Sequence, residues 1–373
     1  MGDLSLIDLS WRSALMFSVC LPMLVVAGML FTRSVERAAN RWLAAFLVLA
    51  VMAQIPQIIG FSGFYSVWPG LTYAPFSLEL FAGAFFLFHA HSLMNGTPLG
   101  WRRWLLVPGL LQLGYYSWAF TMLGDYKAKW AYNDAVHIPY VRTPETIIGL
   151  ALMIYAIIVV SRMIQRYRRF LEATQSAAAD FQPRWLNQLI IAIVLAGALF
   201  AGIELAPLIL DEVTYIGIFW PQVLLTAVIA WLGFQALAQT TIPFPKFSEG
   251  QAEAATEAVP DKDWNAEGEV LQQAVTDGQW HLEPRLSIVE VAARMATNES
   301  YISRAVNKGL GVTFNRFING LRVAHAQDLL RAAQSSVLDV AIASGFSSKA
   351  TFNRVFRDIT GQTPRQFKTS QNP

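Results

Sequence analysis

Two short segments of this sequence place basic, hydroxyl and amide side chains at helical spacing on one face. The first carries Ser303 and Arg304, and the second carries Lys349, Asn353 and Arg354. An arginine guanidinium holds its N–H donors in one plane, so it can form two parallel hydrogen bonds to one planar acceptor pair. The major-groove edge of guanine offers such a pair. Both segments are therefore candidate base-reading helices.

An internal repeat predicts the elements that position these two helices. Residues 286–306 parallel residues 335–356, with one residue inserted in the turn of the second copy. Each copy has a helix-capping signal and a small residue where a second helix must pack closely: Ser287, Glu290 and Ala292 in the first, and Ser336, Asp339 and Ala341 in the second. The following helix should bury Ile302 and Val306, or Phe352 and Phe356, at i, i+4 spacing. This pattern is typical of helix-turn-helix modules.

The segment between the copies predicts how far apart the two modules lie. Residues 313–333 form one amphipathic pattern, which as a helix would be about 30 Å long. Successive major grooves on one face of DNA lie about 34 Å apart. One chain can thus occupy two adjacent grooves.

Residues from about 265 to 368 resemble the DNA-binding domain of AraC/XylS-type transcription regulators. The resemblance rests on GFSSKATFNRVFRDITGQTPRQFK, residues 345–368. It implies an all-α reader with seven helices, with double-stranded promoter DNA and RNA polymerase as partners. It also implies that the base-reading positions are Ser300, Ser303, Arg304, Lys349, Ala350 and Arg354. Basic residues suited to phosphate contacts are Lys308, Arg316, Arg365 and Lys368. For any one of these charges, the alternative is a solvated helix face.

The first two thirds of the chain have the composition of a membrane protein. Of the 373 residues, 54% are hydrophobic and 14% are charged, which is too apolar for an ordinary soluble protein of this size. Seven windows are long enough to cross a bilayer: 13–31, 42–61, 73–94, 104–123, 146–164, 186–210 and 218–237. The predicted fold class is all-α, a seven-transmembrane-helix bundle followed by a cytoplasmic double helix-turn-helix domain. This region resembles, more weakly, the multi-span domain of membrane-integrated AraC-type members.

The distribution of Lys and Arg around these windows predicts the orientation. The segments after windows 1, 3 and 5, counted with the window ends beside them, carry ten Lys or Arg residues, whereas the N-terminal tail and the alternate loops carry four. Positive residues resist translocation. We therefore expect a bacterial inner-membrane protein with its N-terminus outside and its C-terminal domain in the cytoplasm.

An acidic stretch separates the two predicted parts. Residues 249–269 contain seven acidic side chains and one Lys, with few large apolar groups, so they cannot bury enough surface to offset ordering. The predicted division is a seven-span sensor domain at 1–240, a flexible linker at 241–264 and a DNA-binding domain at 265–373.

Polar residues inside the predicted spans are candidate signal-binding groups, because an ionisable group in hydrocarbon is costly. With the orientation above, Gln54, Gln57, Glu79 and Glu204 all fall in the outer half of the membrane. The alternative is structural: the carboxylates are neutral or reach the headgroups, and the glutamines join helices. The outside loop at 124–145 is a second candidate for recognition.

No catalytic constellation or cofactor motif is visible, and no metal site is predicted. His89 and His91 are two residues apart on a predicted helix and point in different directions. We expect a membrane-bound one-component transcription regulator, responsive to a small-molecule or lipid signal, for which a homodimer stays open. The alternative is a membrane transporter or enzyme whose helical tail docks to a protein.

Overall fold

The computed structural model describes residues 10–205, 219–239, 242–247, 262–332 and 336–371. Within these ranges every named regular element is a helix, and an isolated β-bridge pairs Gln175 with Ser287. The all-α prediction is confirmed for this part of the chain. Contacts divide the chain into two units. The apolar unit comprises Met1–Met163 and Pro183–Lys246, and the C-terminal unit comprises Ile164–Gln182 and Phe247–Pro373.

The apolar unit is built from helices that fall in each of the seven predicted windows. Its longer helices are Trp11–Thr32, Arg37–Met52, Ala82–Met94, Val107–Met122, the first part of Thr143–Thr174, Arg184–Leu205 and Phe219–Gln239. Shorter α-helices are Ile55–Phe61, Phe64–Val67 and Tyr126–Tyr132, with a π-helix at Asn133–Arg142 and 3-10 turns at Pro69–Leu71, Glu79–Phe81 and Gly100–Leu106. The helix Trp11–Thr32 packs against Arg37–Met52 and Phe219–Gln239.

Four helical stretches in the described residues are long and apolar enough to cross a membrane. They are Trp11–Thr32, Arg37–Phe61, Tyr126–Thr174 and Phe219–Ala238, and a shorter apolar helix covers Arg184–Leu195. Residues 206–218, which include the end of the sixth predicted window, lie outside the described part. The count of seven spans therefore stays a prediction.

The described residues 262–332 and 336–371 of the C-terminal unit contain seven α-helices, the number that the resemblance implies. They are Trp264–Asp277, Ile288–Arg294, Glu299–Arg304, Phe314–Arg331, Val337–Ala343, Lys349–Thr360 and Pro364–Gln371, with a 3-10 turn at Trp280–Leu282 and a π-helix at Ala305–Gly309. They form two cores. One buries Leu271, Val291, Ile302 and Phe314, and the other buries residues from Val323 to Phe367. Each helix-turn-helix half thus has its own apolar interior.

The boundaries of the two units differ from the predicted domain boundaries. Residues 164–182, which follow the apolar stretch of the helix Thr143–Thr174, group with the C-terminal unit. Most of the predicted linker, residues 248–261, lies outside the described residues. The predicted division into sensor, linker and reader stays a prediction.

Candidate nucleic-acid interface

The second helix-turn-helix half begins with the predicted capping box. The backbone N–H of Asp339 donates to the Ser336 hydroxyl over 3.2 Å, and the N–H of Ser336 donates to the Asp339 carboxylate over 3.3 Å. Each bond satisfies an amide that a helix start leaves without a partner. Ala341 is fully buried, as the small-residue pattern predicts. The helix Val337–Ala343 is therefore fixed at its start and packed closely along its inner face.

The turn of this half requires a glycine. Gly345 has a φ of +78°, and a Cβ at this position would lie 2.5 Å from the carbonyl oxygen of Leu282. L-residues avoid this backbone region because their Cβ approaches the following carbonyl. The turn therefore depends both on the left-handed conformation and on the close approach of two backbones.

The second reading helix, Lys349–Thr360, stands on an aromatic core. Phe352 and Phe356 are fully buried with ring centroids 5.5 Å apart, and Phe346 and Phe367 pack against them. Ser348 caps the helix by accepting a 3.2 Å hydrogen bond from the N–H of Thr351. Because the aromatic face is fixed, the opposite face has a defined orientation. The exposed residues of that face include Lys349, Ala350, Arg354 and Arg357.

The first half repeats the same start. The N–H of Ser287 donates to the Glu290 carboxylate over 2.7 Å, and the N–H of Glu290 donates to the Ser287 hydroxyl over 3.3 Å. Ala292 is buried, which confirms the close packing that the repeat predicts. The turn differs, since Ala296 takes the left-handed position with a φ of +51°. Both capping boxes were predictable because their partners lie three residues apart.

The first reading helix is shorter and changes type. It is α-helical at Glu299–Arg304 and continues as a π-helix at Ala305–Gly309. Ile302 and Val306 are buried as predicted. On the other face Ser300, Ser303 and Arg304 are half-buried. The Ser303 hydroxyl accepts a 3.1 Å hydrogen bond from the side-chain amide of Asn307.

The candidate phosphate-binding residues are spread over three elements. Lys308 and Arg316 are exposed, on the π-helical continuation and near the start of the helix Phe314–Arg331. Arg365 is exposed and Lys368 is half-buried on the last helix, Pro364–Gln371. Their assignment to phosphates and that of the six base-reading residues stay predictions.

A buried arginine that the sequence pattern did not single out joins the two halves. Arg322, on the connecting helix Phe314–Arg331, is 1% exposed. Its guanidinium donates to the carbonyl oxygens of His281 and Glu283 over 2.6 and 2.7 Å and lies 5.7 Å from the Phe346 ring centroid. Burial lowers the pKa of Arg322 to about 10, so the group stays charged at neutral pH. Carbonyl acceptors from the first half and a ring from the second thus meet on one cation.

The predicted signal-binding residue Glu79 belongs to a polar cluster in the apolar unit. The side-chain amide of Gln112 donates to the Glu79 carboxylate over 3.2 Å and also to the Glu145 carboxylate. The Tyr116 hydroxyl donates to the other oxygen of Glu145 over 3.2 Å. Gln112 is 4% exposed, and its own oxygen accepts from the N–H of Leu80 over 3.1 Å. One buried amide therefore bridges two carboxylates.

The other predicted signal-binding residues are placed less completely. Gln54 and Gln57 are half-buried, and their side-chain carbonyl oxygens are buried without a hydrogen-bond partner among the described residues. The side chain of Glu204 lies outside the described part of the structure. The predicted convergence of all four residues on one cavity stays a prediction.

Comparison with known proteins bears on the C-terminal unit. Residues 291–370 match the family model of the helix-turn-helix domain. These residues form an AraC-type helix-turn-helix domain. An HTH-type transcriptional regulator of Staphylococcus aureus strain COL is 36% identical over 88 residues, which are 24% of this chain and 12% of the relative. The HTH-type transcriptional regulator CdhR of Pseudomonas aeruginosa is 34% identical over 96 residues, 26% of this chain and 29% of the relative.

These matches cover less than a third of either relative, so they describe the AraC-type domain and no other part of the chain. A crystal structure of a DNA-binding transcriptional dual regulator from Escherichia coli K-12 also matches, with 15% identity and a TM-score of 0.26. The match covers 31% of this chain and 97% of that one. A TM-score of this size supports no argument about the fold here.

Proposed function

We propose that this chain is a membrane-bound one-component transcription regulator that binds promoter DNA in a sequence-specific manner. The observation that carries the proposal is the second reading helix, which exposes Lys349 and Arg354 on a rigid aromatic core. A base reader needs long polar side chains at fixed positions, because each bidentate contact depends on geometry. At a promoter, the AraC-type domain would also meet RNA polymerase, a partner that the resemblance implies.

The surface of the apolar unit supports a location in the lipid bilayer. Large apolar side chains such as Phe17, Met29, Leu224 and Trp231 are more than half exposed on the helices that meet the length and composition of membrane spans. Soluble monomers rarely expose contiguous apolar surface on this scale. Together with the excess of Lys and Arg in alternate loops, this supports an inner-membrane protein with a cytoplasmic AraC-type domain.

The polar cluster of Glu79, Gln112, Tyr116 and Glu145 is the proposed site of signal input. Two carboxylates that share one amide donor in apolar surroundings form an arrangement that a ligand or a proton can shift. Glu79→Gln and Glu145→Gln should each change the output of a reporter promoter at normal protein levels, whereas the exposed Glu172→Gln should not. Unchanged output from both cluster variants would return these carboxylates to a structural role.

DNA selection by the full chain tests the proposal. The purified protein in lipid nanodiscs should enrich one family of sequences from a random duplex library. Arg354→Ala should reduce the preference at one base pair by about 1–3 kcal/mol. Lys308→Ala should weaken binding to all sequences alike and lower the salt slope by about one phosphate contact. Equal losses of preference in both variants would remove the case for Arg354 as a base reader.

Reporter fusions test the orientation. A fusion after Phe247 should be active only with a cytoplasmic reporter, and a fusion near Asn133 only with a periplasmic one. The reverse pattern would overturn the proposed function, since a domain outside the inner membrane meets no chromosomal DNA.

A further inference from the structure

A short segment that follows the helix Thr143–Thr174 is packed into the C-terminal unit. This docking segment, residues 175–182, includes the 3-10 turn Ala178–Phe181. Ser176 is 1% exposed, Ala178 is 4% exposed and Phe181 is 6% exposed. A loop that merely joined two helices would stay on the surface and remain solvated. The segment buries both apolar and polar groups, and it groups with the C-terminal unit. We therefore expect side chains of this unit to bind it as a receptor.

The receptor is the connecting helix Phe314–Arg331. The side-chain amide of Asn315 donates to the carbonyl oxygens of Gln175 and Ser176 over 3.0 and 2.7 Å, and Asn319 donates to that of Ser176 over 3.2 Å. Arg322 donates to the Ser176 hydroxyl over 3.1 Å. Two asparagines one helical turn apart therefore satisfy backbone carbonyls of the docking segment, and Arg322 satisfies its buried hydroxyl; buried polar groups need such partners.

The docking segment also reaches the start of the first helix-turn-helix half. The N–H of Ser176 donates to the carbonyl oxygen of Leu286 over 2.9 Å, and Gln175 forms an antiparallel bridge with Ser287. Ser287 is the N-cap of the helix Ile288–Arg294. In helix-turn-helix modules this first helix crosses the DNA backbone.

Its acidic residue contacts the second half beside the reading helix. Asp180 accepts a 2.6 Å hydrogen bond from the Ser347 hydroxyl and lies 3.6 Å from the guanidinium of Arg285. Ser347 is the residue by which the two turns differ. The hydrogen bonds from the Thr297 N–H to the Ala292 carbonyl and from the Phe346 N–H to the Ala341 carbonyl are equivalent in the two turns. In the first half the next residue, Asn298, caps the following helix. In the second half the cap is Ser348, one residue further on.

The Asp180 carboxylate lies where it would repel a DNA phosphate at the start of the second reading helix. Phosphates bind at helix N-termini through backbone N–H groups and hydroxyls. Ser347 directly precedes the cap of the second reading helix, two residues before Lys349. A carboxylate there places negative charge where the negative DNA backbone approaches, and at short range such repulsion is screened little by salt.

We propose that the docking segment is an autoinhibitory strap, which must leave the AraC-type domain before that domain closes on DNA. The inference rests on the proposed DNA-binding function and names its regulation. The strap follows directly on a helix whose first part belongs to the apolar unit. A signal that shifts this helix shifts DNA affinity only by changing the balance between docked and released strap.

Charge removal at Asp180 tests the strap in the full-length protein in nanodiscs. Asp180→Asn should raise affinity for the selected duplex at least about 5-fold, the lower end of typical coupling between sites. The matched control is Asp328→Asn, which removes one negative charge from the same unit at a solvent-exposed pair with Arg331. It should change affinity less than about 2-fold, as a screened surface charge does.

A disulfide lock provides the opposite manipulation. Asp180→Cys combined with Ser347→Cys joins two side chains that are now in contact, and the native Cys20 is buried elsewhere in the apolar unit. Oxidation should lower DNA affinity at least about 5-fold, and reduction should restore it. Each single-cysteine variant should show no redox dependence.

The outcomes separate this inference from the proposed function. If the wild type selects a duplex but Asp180→Asn leaves affinity unchanged or lowers it, the strap does not inhibit, and the same holds if the lock raises affinity. An equal rise in Asp180→Asn and Asp328→Asn would reduce the effect to net charge. If no variant selects any duplex, the DNA-binding function itself is overturned, and the strap has nothing to exclude.

Discussion

The two helix-turn-helix halves differ most in the helix that follows the turn. In the second half, Lys349–Thr360 is a continuous α-helix that ends at Gly361 with a φ of +75°. In the first half, the α-helix ends at Arg304 and a π-helix continues to Gly309. A π-helix changes the angle between successive side chains. The two halves therefore cannot present the same residue pattern to DNA in the same geometry.

The surroundings of the two reading helices explain the difference. The π-helix packs against the helix Trp264–Asp277, and a Cβ on Gly309 would lie 2.1 Å from the carbonyl oxygen of Trp264. The second reading helix packs instead against the helices Phe314–Arg331, Val337–Ala343 and Pro364–Gln371 and rests on the phenylalanine cluster. We infer that the first half combines reading with packing against the N-terminal helix, and that the second is the stronger candidate for base specificity.

Substitution of the two turn residues should change the stability of the two halves in opposite directions and has the largest expected effect. Gly345→Ala should lower the opening free energy of the second half by roughly 2–5 kcal/mol, because it adds left-handed strain and a clash with the Leu282 backbone. Ala296→Gly should raise the opening free energy of the first half by about 1 kcal/mol or less, because glycine relieves the strain of the left-handed backbone at this position. Amide hydrogen exchange of the two halves measures both. Changes of the same sign would show that the two turns do not differ as described.

Arg304 and Arg354, which occupy equivalent positions in the two halves, should contribute differently to base recognition. Arg354→Ala should cost about 1–3 kcal/mol of discrimination at one base pair. Arg304→Ala should cost less than about 1 kcal/mol, because its side chain is half-buried on a shorter helix. Binding to a panel of single-base variants of the selected duplex gives both values. A larger loss of preference for Arg304→Ala would reverse the proposed ranking of the halves.

The smallest expected effect concerns an ion pair of the first half, between Arg294 and Glu283. Arg294 donates to both oxygens of Glu283 over 2.8 and 2.6 Å, and these hydrogen bonds lower the pKa of Glu283. A lowered pKa in the folded state gives stability that is present above the unfolded pKa and is lost as pH falls through the folded one. Both side chains are partly exposed, so Glu283→Gln should cost less than about 1 kcal/mol at pH 7.

The pH dependence is the check on this pair. The difference in opening free energy between the wild type and Glu283→Gln should shrink toward zero in acid, in the first half only. A difference that persists unchanged at low pH would assign the effect to packing and not to charge.

Local patterns predicted much of the C-terminal unit, because each signal and its partner lie within one turn. The capping boxes at Ser287 and Ser336 and the buried Phe352 and Phe356 all follow from spacings of three or four residues. In the apolar unit, hydropathy predicted where the helices lie along the sequence. The hydrogen bonds of Gln112, however, reach Glu79 and Glu145, each of which is 33 residues away in the sequence. Composition carries no information about such a partner.

The features that escaped the sequence depend on distant contacts. Arg322 looked like one more charge on an amphipathic helix, yet its acceptors lie 41, 39 and 146 residues away. The π-helix Ala305–Gly309 lies close against the backbone of Trp264, which is 45 residues before Gly309 in the sequence. The inserted residue Ser347 was visible as an extra position in the repeat, but its partner Asp180 lies 167 residues away.

Selection of DNA by the intact protein in sealed membranes tests whether this chain reads DNA at the cytoplasmic face of the membrane. Inside-out and right-side-out inner-membrane vesicles that contain the full chain would each be incubated with a random duplex library. We expect inside-out vesicles to enrich one sequence family and right-side-out vesicles to enrich none, and we expect Arg354→Ala to reduce the preference at one base pair of that family. Enrichment only on right-side-out vesicles, or no enriched sequence in either orientation, would contradict the claim that this chain reads DNA from the membrane.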